Sequence, residues 1–359
     1  MVLPPQEDFS PLAAGAIAIV VSRLALSTPR AVVLGRAPTE PGFANIAFLP
    51  TAARRAGRIF HKLGVIRRIA ALQPAWAEVH QDPRLARLLA RLFPATRIAL
   101  VLHNDPLTMR GLKRIAERQA MLQRADVVTV SPHLAQLYAT GFDTLPARLQ
   151  AIPNPVPPPE RVAPLESRRR EFLFVGRVTP DKGVDVFLEA CRRVLPGLPG
   201  WSARIVGGDR YGPNQSGSPF YRQILARAAE VGITCTGYVP QDQVVAAMSE
   251  AAIMAMPSRM IEGFPLAAIE ALANGVPLIA TRSGGLPDAA GEAAVYVPGN
   301  DPDALAAAMH RLASDETARR DLVRAGLARA AELAPARIVA AWERFRSATA
   351  SDMPGVQSG

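Results

Sequence analysis

Phe172-Leu-Phe-Val-Gly-Arg-Val-Thr-Pro-Asp-Lys-Gly183 decides how the chain is read. Its first four residues are apolar, too few for a core helix, and Gly176 bounds them, which predicts a strand buried on both faces. After the glycine turn a loop carries Arg177 and Lys182 to the mouth of the sheet, and the apolar spacing of 184–195 predicts the next helix. Two cations five residues apart beside a helix N-terminus suit a diphosphate, because charge-assisted hydrogen bonds and the helix dipole act on the same oxygens. Lys182 stands out further as one of three lysines among 41 basic residues.

The same strand, turn and helix recur outward in both directions, the arrangement of α/β folds with parallel sheets wrapped by helices. Downstream, strands are predicted over 203–206, 234–236, 253–256, 277–280 and 294–297, with helices over 221–231, 243–249, 266–274, 303–313, 317–333 and 338–348. Upstream, strands are predicted over 31–35, 45–49, 77–80, 97–102, 127–130 and 149–152, with helices over 15–26, 54–72, 83–92, 112–124 and 133–140. Between the two series lies Asn154-Pro-Val-Pro-Pro-Pro-Glu160, which neither a helix nor an interior strand tolerates, so 154–170 reads as a linker. Two consecutive open sheets place a cleft at the carboxyl ends of their strands, and that cleft is the expected active site.

With 359 residues, 49% of them hydrophobic and 20% charged, the chain is long enough for two packed domains and too apolar for extensive disorder. No apolar run approaches the roughly 18–20 residues of a membrane span, and no basic region precedes the first apolar stretch, so a cytoplasmic protein is expected. Cys191 and Cys235 fall in a predicted helix and a predicted strand without metal-ligand spacing and read as small core residues. The net charge of +10 is confined to one half: 1–165 holds 20 basic and 10 acidic residues, whereas 166–359 holds 21 of each. Few aromatics interleave with the basic residues, and no helix-turn-helix or zinc finger is recognisable, which argues against nucleic acid as the partner. The densest basic stretch, Arg54 to Arg68, is amphipathic when wound as a helix. It reads either as attachment to an anionic membrane surface or as a solvated face of a core-packed helix.

A second stretch carries chemistry: Pro257-Ser-Arg-Met-Ile-Glu-Gly-Phe-Pro-Leu-Ala-Ala-Ile-Glu-Ala-Leu-Ala-Asn-Gly-Val-Pro277. Glu262 lies in the loop, Pro265 suits the first helical position, and the N–H groups of Phe264, Leu266 and Ala267 are left to face an anion. Glu270 lies on the helix itself, in a run with no other charge, so the two carboxylates can bind different hydroxyls of one ligand whose phosphates rest on the helix end.

From about Glu171 to Ala313 the chain resembles the retaining glycosyltransferases of family 4, which have the GT-B architecture of two Rossmann-like domains with parallel sheets facing a central cleft. Gly176-Arg177 with Lys182-Gly183 looks like that family's diphosphate-binding pair. Glu262-Gly-Phe-Pro-Leu-Ala-Ala-Ile-Glu270 is similar to its E-x7-E motif, whose first Glu meets the donor sugar and whose second meets the ribose. Gly237-Tyr-Val-Pro240 looks like the loop beside the nucleotide base, and Gly284-Gly285 like the turn after the following strand. More loosely, His103 in Val101-Leu-His-Asn104 occupies the place of the family's cleft histidine, and Gly15 that of its glycine loop, although a paired glycine is missing and the preceding strand, Val2 to Leu3, is short.

The resemblance implies Glu262, Arg177, Lys182 and His103 as catalytic residues. It implies Gly15, Gly176, Gly208, Tyr238, Val239, Gly263, Phe264, Pro265, Leu266 and Glu270 as further donor contacts. It also implies a last helix that crosses back, so that 1–153 with 336–359 forms the acceptor-side domain and 171–335 the nucleotide-sugar domain. The expected activity is transfer of a hexose from a nucleotide-diphosphate sugar, UDP before GDP, to a lipid-linked or saccharide acceptor in cell-envelope or exopolysaccharide biosynthesis. The rival readings are a nucleotide-sugar epimerase on the same fold and a non-catalytic nucleotide-sugar-binding subunit. No cofactor and no metal are expected. Asp301-Pro-Asp303 has the DxD form of metal-dependent transferases, but it directly precedes an Ala-rich helix, where Asp serves as an N-cap.

Overall fold

The computed structural model describes residues 1–210 and 217–348. Its contacts divide the chain into two compact units, Met1–Pro155 with the segment from Pro335 onward, and Val156–Ala334. Residues 349–359, assigned from sequence to the first domain, lie outside the described residues.

The first unit is built from β1 (Val32–Arg36), β2 (Ala47–Ala52), β3 (Trp76–His80), β4 (Arg97–Leu102), β5 (Asp126–Thr129) and β6 (Leu149–Ala151). Around them lie α1 (Ala16–Ser27), α2 (Arg58–Leu72), α3 (Pro83–Leu92), α4 (Ile115–Leu122) and α5 (Pro132–Tyr138). β1 pairs with β2, and β3 to β6 pair in order, all parallel. Val2 joins the two sets, bridging Leu34 on one side and Val79 on the other. This central strand is short because Pro4 and Pro5 follow it, and neither has an N–H to continue a ladder. Alternate side chains cover opposite faces: Leu34 packs with Val65, Ile69, Leu85 and Leu89, whereas Val33 packs with Phe9, Ala18 and Val21.

The second unit holds β7 (Arg169–Val175), β8 (Ser202–Val206), β9 (Thr234–Cys235), β10 (Ala251–Met256), β11 (Leu278–Thr281) and β12 (Ala294–Val297). Its helices are α6 (Val184–Val194), α7 (Pro219–Glu230), α8 (Gln241–Glu250), α9 (Leu266–Ala273), α10 (Leu286–Ala290), α11 (Pro302–Ser314) and α12 (Glu316–Glu332). The strands are parallel in the order β12-β11-β10-β7-β8-β9, which reverses direction between β7 and β10. All six residues of β10 are buried, as are Phe172, Leu173 and Phe174 of β7, so the apolar run that opened the sequence argument is a central strand covered on both faces.

The described linker is docked by hydrogen bonds. Val156 N–H donates to Leu333 O at 2.9 Å, and the buried Arg168 guanidinium donates to carbonyls of Ala163, Met248, Ala251 and Asn274. These bonds tie the segment onto the second unit, and β7 starts at Arg169, inside the stretch read as linker. The last helix, α13 (Pro335–Ser347), returns to the first unit, where Trp342 and Phe345 are buried and Phe345 meets the Trp76 ring edge-on at 5.8 Å. Arg97 closes this contact, its guanidinium stacked near Trp76 and Phe345 while it donates to Arg346 O and Ala348 O.

Candidate functional site

In an open parallel sheet the ligand crevice lies beyond the strand ends where the order reverses. In the second unit that position is flanked by the loop after β7, carrying Arg177 and Lys182, and the loop after β10, carrying Glu262. The two motifs, 80 residues apart, form one site. Lys182 Nζ donates to Glu262 Oε1 at 2.8 Å and to Oε2 at 3.0 Å. Ser258 Oγ donates to the same Oε1 at 2.6 Å.

The backbone holds this arrangement. Pro180–Lys182 winds one 3₁₀ turn, and Gly183 follows it with φ +69°. A Cβ on Gly183 would fall 2.0 Å from Pro257 O, so only glycine lets the first loop approach the second so closely. Arg259 N–H and Met260 N–H both donate to Asp181 O, at 2.8 and 3.1 Å. On the far side Gly285 N–H donates to Glu262 O at 2.7 Å. The Glu262 side chain is 5% exposed and that of Lys182 20%.

The expected cations are thus paired rather than bare: Lys182 with Glu262, and Arg177 with Asp181 at 3.4 Å. An ammonium has three N–H donors, and Glu262 takes two. That leaves the ammonium a third donor able to meet an anion, and the carboxylate lone pairs able to accept from a hydroxyl. Pro265 is the N-cap of α9 rather than its first helical residue, because its extended ψ of 124° makes its carbonyl the acceptor for Ala268 N–H. Leu266 and Ala267 then open the helix, with amides that have no intrahelical acceptor. Glu270, 4% exposed, receives Gln241 Nε2–H at 2.8 Å. Gln241 opens α8 directly after Tyr238, Val239 and Pro240, so the loop after β9 and the E-x7-E helix are linked. Tyr238 and Val239 are half-buried, and Gly263 and Phe264 are buried. Gly176 N–H donates to Val206 O, and Val178 N–H to Gly208 O, which ties the first loop to the end of β8.

Two predicted residues lie in the first unit. His103 follows β4 and is buried, its Nε2 2.9 Å from Nδ1 of His80 at the end of the neighbouring β3. Burial, then the neighbouring His80, hold the His103 pKa well below its ordinary value. Gly15 is the N-cap of α1, as its place before a helix suggested. The helix end is engaged by this chain's own carboxylate: Glu7 accepts from Ala18 N–H at 3.1 Å, and a Cβ on Gly15 would lie 2.6 Å from Glu7 Oε2. Asp301 caps α11, accepting from Ala304 N–H at 2.9 Å, and Asp303 pairs with Arg193.

Ser258, Asp181, Gln241 and the His80 contact were missed from sequence. Ser258 stands four residues before Glu262 and His80 ends a predicted strand, so both had a signal in position. Gln241 had none.

Residues 160–329 match the family model for glycosyl transferases group 1. Among curated relatives, the exopolysaccharide phosphotransferase SCO2592 of Streptomyces coelicolor is 30% identical over 67% of this chain and 25% of its own. The D-inositol 3-phosphate glycosyltransferase of Corynebacterium glutamicum is 32% identical over 58% of this chain and 53% of its own. This chain therefore spans a quarter to about half of the length of these two relatives. Among solved structures, Anabaena Alr3699/HepE in complex with UDP and glucose superposes with a TM-score of 0.74 at 14% identity, over 97% of this chain and 99% of that one. The fold is GT-B: two Rossmann-like α/β units with parallel sheets, the last helix returning to the first.

Proposed function

We propose that this protein is a retaining glycosyltransferase of the family 4 type that moves a hexose from a nucleotide-diphosphate sugar to a saccharide or lipid-linked acceptor in cell-envelope or exopolysaccharide biosynthesis. The observation that carries the reading is the contact of Lys182 with Glu262 across the β7/β10 switch point. The contact supports the reading because a cation suited to a leaving diphosphate lies against a carboxylate suited to a sugar hydroxyl. In the reaction the bond from the anomeric carbon to the diphosphate oxygen breaks as the acceptor oxygen bonds that carbon on the same face. The acceptor's proton passes to the leaving phosphate. Arg177, Lys182 and the N-terminus of α9 stabilise the charge that develops on the diphosphate, Glu262 positions the sugar, Glu270 holds the ribose, and His103 contacts the sugar or acceptor. This charge balance includes no divalent cation, and undiminished turnover in a chelator is the outcome that agrees with it.

The donor base is tested by thermal shift. UDP-, GDP- and ADP-sugars are compared, with UDP expected, as in the HepE complex. A ligand at about a hundredfold excess over its Kd stabilises by ~2.7 kcal/mol, which corresponds to a rise in Tm of about 5–10 °C. No rise with any of the three would remove the reading. Donor incubated alone should stay unchanged apart from slow hydrolysis, whereas release of a rearranged free sugar would turn the assignment to an epimerase.

Attachment to an anionic membrane surface is proposed for α2. His61, Val65 and Ile69 face the core, yet Ile59, Phe60 and Leu63 are 72%, 64% and 52% exposed, beside exposed Arg54, Arg55, Arg58 and Arg67. An ordinary solvated face has no use for such apolar residues. Among the described residues no helix is long and apolar enough to cross a membrane, so this would be a surface contact at the inner leaflet. Each basic residue near an anionic surface contributes ~1 kcal/mol. Replacing Arg54, Arg55 and Arg58 together by Glu should therefore abolish co-sedimentation with phosphatidylglycerol vesicles while leaving Tm within about 1 °C. Equal sedimentation of both proteins would refute the attachment.

A further inference from the structure

We infer that His80 is a positioning residue that fixes the tautomer of His103, so that His103 meets its ligand as a hydrogen-bond acceptor through Nδ1. The inference rests on the reading of His103 as a substrate contact and adds which hydrogen-bonding role it plays. His80 and His103 end adjacent parallel strands, their rings 5.2 Å apart and tilted by 26°, with His80 Nδ1 2.9 Å from His103 Nε2. Burial is the first cause that keeps both below their ordinary pKa, so both rings are neutral at neutral pH.

Between two neutral imidazoles one proton fills the bond, and the two tautomers are therefore locked together. If His80 carries its proton on Nε2, its Nδ1 accepts, His103 donates from Nε2, and His103 Nδ1 presents a lone pair. If His80 carries its proton on Nδ1, the pattern inverts and His103 Nδ1 becomes a donor.

Glu78 decides between them. Its Oε2 lies 3.8 Å from His80 Nε2, and neither atom has another hydrogen-bond partner among the described residues. Its other oxygen, Oε1, receives Arg346 Nη2 at 2.6 Å and Trp76 Nε1 at 3.1 Å. Burial raises the Glu78 pKa, but His80, Arg346 and the Met1 amino group outweigh it and hold the carboxyl at about 2. Glu78 is thus a fixed anion in a dry site, 1% exposed. A lone pair on His80 Nε2 would point a negative potential at that anion, whereas an N–H there is attracted. The proton goes to His80 Nε2, and the chain from Arg346 through Glu78 and His80 leaves His103 Nδ1 as an acceptor. A hydroxyl of the sugar or of the acceptor is the chemistry that such a nitrogen recognises.

Long-range ¹H–¹⁵N spectra of ¹⁵N-histidine-labelled full-length protein at neutral pH read the tautomers directly. The chain has five histidines, so single substitutions assign them. His80 and His103 are both expected as the Nε2–H form. Finding His103 as the Nδ1–H form or as imidazolium overturns the inference while leaving the transferase reading untouched. His80→Leu removes the acceptor and should give His103 mixed tautomers and lower kcat by about 10–100-fold. His80→Asn, whose Oδ1 can stand where Nδ1 stood, should restore the Nε2–H form and most of kcat. Loss of kcat in both variants alike, with Tm unchanged, would count against tautomer control. Full activity of His103→Ala would remove the ligand from His103 and the inference with it, whatever the tautomer.

Discussion

Replacing Lys182 with Ala is expected to lower kcat at saturating donor by about 10²–10³-fold, the cost of removing one preorganised donor aimed at developing charge. The loss should fall on kcat more than on KM, because the role proposed for the cation is greatest as the diphosphate leaves. Stability changes too. Without the ammonium, the Glu262 carboxylate stays buried with Ser258 as its described side-chain partner, and breaking such a pair costs up to ~3–5 kcal/mol. The figure here is smaller, since the Lys182 side chain is 20% exposed and water can reach the gap. Removing both charges relieves the penalty, so Lys182→Ala with Glu262→Ala should be more stable than Lys182→Ala alone, although it stays inactive. Urea denaturation of the three variants measures the coupling. Turnover of Lys182→Ala within threefold of the parent, with an identified donor, would dismiss the role given to this residue.

The fold was largely legible because the central strands are buried on both faces. Runs such as 172–175 and 253–256 must be apolar throughout, and their flanking glycines and prolines fix the ends. The predicted strands all exist, with ends shifted by a few residues where a small residue or an exposed polar one extends a ladder, as at Ala251 and Arg169. The short α10 was invisible because five residues give no period. The docking of the linker was not legible: Arg168 does it, and a lone arginine among 38 carries no sign of where its guanidinium goes.

The site was legible as residues and not as a geometry. Arg177, Lys182, Glu262 and Glu270 could be picked out by type and spacing. Their pairing depends on which strands are neighbours, and 80 residues of intervening chain conceal that β7 and β10 lie side by side. That Lys182 and Arg177 each have a carboxylate partner was hidden for the same reason. A charged residue read in isolation has no partner, whereas a folded site that excludes water must balance its charges before a ligand arrives. Gly15 shows the opposite case, since a carboxylate eight residues upstream reaches the helix end that the pattern reserved for a phosphate.

Gly284→Ala should damage the site severely without touching a reactive group. Gly284 has φ +58°, a conformation that costs other residues about 1 kcal/mol or more, and a Cβ there would lie 2.4 Å from Glu262 O and 2.5 Å from Glu262 N. Both atoms are backbone, so no side chain can swing aside. The loop of Met260 to Glu262 must move instead, and it is held on this side by Gly285 N–H on Glu262 O and by Ser283 on Met260 O. A shift of about 1 Å at a positioned group can cost on the order of 10²-fold in rate, and here the displaced group is the carboxylate that meets Lys182 and Ser258. The expected result is a drop in kcat of at least about 10²-fold with a loss of ~2–3 kcal/mol of stability. Gly299→Ala is the control, because nothing lies within 4 Å of its Cβ, and its stability should change by less than about 0.5 kcal/mol. The decisive comparison is with Glu262→Ala. If Gly284 acts by placing Glu262, adding Gly284→Ala to Glu262→Ala should cost little further activity. Full additivity of the two losses would mean that the turn after β11 contributes to transfer by another route.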